Sequence, residues 1–71
     1  MCRFLIVIEK TNENYSAYCP DLPGCVATGK THDETERNMH EAIEMHVQGL
    51  LEDHLPIPKS AAVAEYIAVA G

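Results

Sequence analysis

The chain has 71 residues, 46% of them hydrophobic, and eleven acidic against five basic side chains give a net charge of −6. That length makes a single domain, 1–71, with a small core, since a chain near this size buries only about 60% of its unfolded surface. The acidic balance argues against a basic nucleic-acid-binding face, and no apolar run approaches the ~20 residues of a membrane span. No charge-flanked apolar leader with a cleavage site is visible, so a cytoplasmic location is expected.

Arg3 to Lys10 reads as a strand with apolar residues on both faces, Phe4, Ile6 and Ile8 on one and Leu5 and Val7 on the other. Thr11-Asn12-Glu13-Asn14 is a polar turn, and Tyr15 to Cys19 is the returning strand of a hairpin. Pro20, Pro23 and Gly24 then force a sharp turn, because each proline fixes φ and the glycine tolerates a positive one. Cys25 to Thr28 is a short third strand, broken by Gly29. Thr31-His32-Asp33-Glu34 has the Thr-x-x-Glu form of a capping box, so a helix is expected from about His32 to Asp53. Its apolar stripe is Met39, Ala42, Ile43, His46, Val47, Leu50 and Leu51. Leu55-Pro56-Ile57-Pro58 ends it, since prolines cannot continue a helix. Lys59 to Val63 is connection or a short helical turn, and Ala64 to Ala70 is a last strand, with Tyr66 and Ala68 alternating against Ile67 and Val69.

The order β-β-β-α-β implies a two-layer α+β fold, with antiparallel hairpins and one helix on one sheet face. The other face keeps Leu5 and Val7, together with one of the two sets on the last strand. Covering them by self-association is the simplest remedy, because buried apolar surface is worth about 25 cal/mol per Å². A homodimer or tetramer is therefore expected, with Leu5, Val7, Tyr66, Ile67 and Val69 at the interface.

Little in the chain suggests catalysis. Cys19 and Cys25 flank the Pro-Gly turn, where they could face each other; a reduced pair is expected, a disulfide between them being the alternative, and Cys2 makes an odd third. His32, Glu36, His40 and Glu44 recur every fourth residue and line one stripe of the helix, but a third and fourth ligand for a metal are not apparent, so a solvated polar stripe is expected. His46 falls within the apolar stripe and is expected to be partly buried. Tyr15, Tyr18 and Tyr66 are expected to serve packing, since base stacking needs a basic groove beside it. No cofactor is expected.

Tyr18, then Pro20-Asp21-Leu22-Pro23-Gly24-Cys25, Thr28-Gly29 and Thr31, followed by Glu34, Asn38, Glu41-Ala42-Ile43, Leu50-Leu51 and Ile57-Pro58, form a pattern spread over nearly the whole chain. This pattern resembles the HicB-like antitoxin family. The resemblance implies a partial ribonuclease H-like β-β-β-α-β domain that neutralises a HicA-like toxin, a small basic RNA-cleaving protein, by covering its active site. On that reading Asp21 and Leu22 of the turn, with Glu36, Glu41 and Glu44 of the acidic helix, are the expected partner-binding residues. The alternative is a solitary, self-associating HicB-like domain with a structural or ligand-binding role. Two departures stand out. Many such proteins carry an operator-binding C-terminal domain after the last strand; these 71 residues show none, and DNA binding by them is not expected. Thr35-Glu36 replaces the usual Ala and apolar residue, which implies weaker packing in the first helical turn. Ribonuclease activity of its own is not expected either, because a two-metal site needs clustered carboxylates and the strands offer only Glu9 and Glu65.

Overall fold

In the computed structural model, which describes residues 2–71, β1 (Val7–Lys10), β2 (Tyr15–Tyr18) and β3 (Val26–Gly29) form one antiparallel sheet in the order β1-β2-β3, and α1 (His32–Glu52) packs on one of its faces. The α+β class and the single covering helix are as the sequence implies. The Thr11–Asn14 loop closes the first hairpin: the Thr11 hydroxyl donates to Asn14 and accepts the Asn14 N–H at 3.1 Å.

Two consecutive proline turns link β2 to β3. The Leu22 N–H donates to the Cys19 carbonyl at 3.1 Å, and the Cys25 N–H donates to the Leu22 carbonyl at 3.1 Å. Gly24 has φ +81°, which makes Leu22 to Cys25 a type II turn with proline second and glycine third. The double turn drives Leu22 to full burial, where it joins Ala17, Cys19, Cys25 and Met39 as the core. The same turn shortens the expected first strand. Beyond the Val7–Tyr18 pair, the next hydrogen-bonded pair would set Leu5 opposite Pro20, which has no N–H to donate and is already bent into the turn. Arg3 to Ile6 therefore lies outside the ladder, although Phe4 and Ile6 still pack against the core.

Gly29 closes β3 and lets α1 approach. A Cβ placed there would sit 2.6 Å from the Thr35 hydroxyl oxygen and 2.8 Å from the Thr35 backbone nitrogen. Thr35 is itself fully buried and its hydroxyl donates to the Thr31 carbonyl at 2.7 Å, so the expectation of weaker first-turn packing is corrected: a β-branched residue fits against a glycine with its polar atom satisfied. The Thr31 hydroxyl caps the helix by accepting the Glu34 N–H at 3.0 Å, while the Glu34 carboxylate reaches Lys30 rather than Thr31, at 3.4 Å. Asn38 ties the helix to the Thr28 carbonyl at 2.8 Å. At the other end, the Leu55 N–H donates to the Leu50 carbonyl and the His54 N–H to the Leu51 carbonyl, with His54 at φ 56°. This is a Schellman cap built on a histidine; it ends the helix before the prolines do.

The last expected strand is a correction. Residues 64–70 pair with no strand among the described residues, and Tyr66, Ile67 and Val69 are 106%, 84% and 85% exposed. Alternation supplies strand propensity, but a strand also needs a neighbouring edge, and this segment leaves the domain. The radius of gyration is consequently 13.9 Å, against about 11 Å for a compact chain of this length.

Three outcomes are expected in denaturation experiments. Gly29→Ala loses about 1–3 kcal/mol through overpacking against the helix backbone, whereas Gly49→Ala, with open space around it, gains up to about 1 kcal/mol. His54→Gly raises stability by about 1 kcal/mol, because a Cβ in the left-handed region is penalised. Burial, and secondarily the neighbouring Cys19, push the Cys25 thiol above its ordinary value of 9.0. A raised folded-state value means that its contribution is complete below the ordinary value and is lost as pH climbs through the raised one. Wild-type stability should thus fall above about pH 9 more steeply than that of Cys25→Ala.

Candidate functional site

The sheet leaves one face open, and its composition follows from the register. Ile8, Ala17 and Ala27 are cross-strand partners directed at the helix, with Ala17 buried in the core. Val7, Tyr18 and Val26 form the adjoining row, so they point the other way; Glu9, Ser16 and Thr28 make the next row on that side. The open face is thus apolar at the end near the double turn and polar at the other. Val7 and Leu5 are half-buried, while Tyr18 and Val26 are exposed.

The second surface is the outer side of α1. Glu41, Glu44, Met45, Gln48, Gly49 and Glu52 line a shallow groove along it. The three carboxylates are exposed, and Met45 is 75% exposed in their midst. Sequence reasoning placed Glu41 and Glu44 here but missed Met45 and Glu52. The signal was present in the spacing, since 41, 45, 48 and 52 share a face of a helix. Glu36 sits apart, one turn in from the helix start, 3.9 Å from His32; His40 and Glu44 form a separate pair at 3.8 Å. Ligand atoms of His32, Asp33 and Glu36 lie within 4.8 Å of one another, all on exposed side chains. The His32 ring stands edge-on to Tyr15, with centroids 6.4 Å apart. Such exposed pairs are worth little to stability. His46 is partly buried, as expected, against the Gly24–Val26 segment.

The turn residues divide. Leu22 is 0% exposed, so its expected place at a partner surface is corrected: the double turn points it into the core. Asp21 is half-buried and turns its carboxylate to the chain's own C-terminal segment, where Oδ2 accepts the Ala61 N–H at 3.3 Å and the Ala62 N–H at 3.2 Å. Cys19 and Cys25 are buried, free thiols, and Cys2 is exposed. No helix among the described residues is long and apolar enough to cross a membrane.

Comparison with known proteins agrees with this architecture. The sequence profile described as HicB_like antitoxin of bacterial toxin-antitoxin system matches residues 4–70. A 14.9 kDa protein from the rep-hol intergenic region of Haemophilus phage HP1 is 45% identical over 62 residues, covering 87% of this chain and 47% of its own length; the chain thus spans about half of that relative. A UPF0150 protein of Synechocystis is 33% identical over 67 residues, covering 93% of this chain and 85% of its own. A UPF0150 protein of Helicobacter pylori is 47% identical over 49 residues, covering 69% and 68%. Among solved structures, a chain of a HicA3 and HicB3 toxin-antitoxin complex superposes with a TM-score of 0.66 at 31% identity, covering 83% of this chain and 72% of its own. With the profile spanning almost every residue and the sheet-and-helix core shared with a chain of that complex, this protein belongs to the HicB-like antitoxin family.

Proposed function

We propose that the chain is an antitoxin-type protein-binding module that docks a basic, HicA-like RNA-cleaving toxin on the outer face of α1 and covers the toxin's active site. The observation that carries this reading is the exposed groove of Glu41, Glu44, Met45 and Glu52 on a family member with a net charge of −6. Carboxylates around an exposed apolar anchor suit a cationic partner. The acids accelerate encounter and reject acidic proteins, and the unbranched Met45 side chain adapts to the shape it meets. Glu36, exposed beside His32 and one to two turns nearer the N-terminus, adds negative charge outside the groove. The role is binding rather than catalysis, in a cytoplasmic setting. A solitary self-associating domain is the second reading, favoured by the exposed apolar tail.

Co-expression with a basic toxin encoded beside this chain's gene separates the two. On the first reading the pair co-purifies and growth is restored; neither outcome occurs on the second. The Glu41→Lys, Glu44→Lys double variant should weaken the complex by about tenfold or more, chiefly through a slower association rate and a flatter salt dependence. Unchanged affinity and salt dependence in that variant would remove the acidic face from the interface.

A further inference from the structure

The structure leaves one apolar segment outside the sheet, and of the two sheet edges, β1 and β3, it roots that segment beside β1. The tail from Val63 to Gly71 carries a single charge, at Glu65, and its large side chains Val63, Tyr66, Ile67 and Val69 are all exposed. Its root is fixed. The Asp21 carboxylate holds the Ala61 and Ala62 amides, and Ser60 and Ala62 line a cleft with Arg3, Phe4 and Leu5, the residues that lead into β1. β1 is an edge strand, and the open-face row that starts at its Val7 is apolar. The tail therefore leaves the domain beside the entry to an unpaired edge without lying on it.

We propose that the tail is an exchanged strand: in a two-fold homodimer each copy's residues 63–70 pair along the free edge of β1 in the other copy and extend the apolar end of its open face. Strand addition to an exposed edge is a recurrent mode of recognition, and a two-fold arrangement satisfies both tails and both edges at once. The extent is sufficient. An unpacked chain exposes roughly 160 Å² per residue, so a nine-residue tail offers on the order of 1,400 Å². Burying half of each tail against an equal area of the receiving copy exceeds the ~1,600 Å² of a standard interface. The acidic groove of α1 is not consumed, so the inference is independent of toxin binding.

Sedimentation of the full chain at micromolar concentration should give twice the 7.8 kDa chain mass. The Ile67→Asp, Val69→Asp double variant should sediment as a monomer that keeps the helical far-UV signal and loses only the strand contribution of the tail, since both positions are exposed within one chain. A photo-crosslinker in place of Tyr66, in a mixture of ¹⁴N- and ¹⁵N-labelled chains, should join light to heavy peptides near residues 5–10. A monomeric wild type, a double variant that stays dimeric, or crosslinks confined to single chains would each overturn the exchange. Toxin binding by a monomeric wild type would leave the antitoxin reading intact while removing this one.

Discussion

The burial of Leu22 between two proline-led turns is the constraint on which the remaining geometry rests. With Leu22 fixed in the core, Cys19 and Cys25 are drawn into backbone pairing, and this sets the register of β2 against β3. The first ladder must stop at Tyr18 because the next residues are committed to the turn. Asp21 is held at the rim, where its carboxylate meets the returning C-terminal segment. A short stretch of local chemistry thereby decides where the sheet ends, what fills the core and where the tail departs.

The helix and sheet are mismatched in length, and the mismatch creates the two available surfaces. Twenty-one helical residues span about 31 Å at 1.5 Å each, whereas four-residue strands cover only about 13 Å. The helix therefore overhangs the sheet at the double-turn end, where Val47 and Leu50 are half-buried rather than sealed and Phe4 supplies part of the missing floor. Its acids are kept outward because the inward stripe is already apolar, and this separates a charged helix face from an apolar sheet end.

Much of this was legible in the residues. Pro20, Pro23 and Gly24 announced the turn, Thr31 and Glu34 announced the helix start, and the stripe through Met39 and Ile43 announced the covered face. Period and backbone chemistry are local properties, so one sequence suffices to read them. What was not legible depended on distance. Leu22 looked like a turn-tip contact because nothing in its neighbours reveals that two turns together aim it inward. Thr35 looked like a packing defect because its partner, Gly29, matters only once strand and helix are brought together. The helix stop at His54 was hidden because a Schellman cap usually advertises itself with glycine. The tail reads as a strand by alternation, and alternation carries no information about whose edge it joins. The acidic surface was found through Glu41 and Glu44, but exposed Met45 was passed over because an isolated apolar residue on a helix is ordinarily assigned to the core.

The succession of short connections has a kinetic meaning. The strand pairings and the packing of β3 on α1 join neighbours in the chain: β1 to β2 through four residues, β2 to β3 through the double turn, and β3 to α1 through two residues. Low contact order of this kind favours rapid folding, because little loop entropy is lost before contacts form. Contacts across about forty residues are those of Phe4 with the Ile43–Val47 stretch of α1, within the body, and those of Asp21 with Ala61 and Ala62, which fasten a segment outside the core. The body can therefore complete its folding as a unimolecular event without waiting for its C-terminal end.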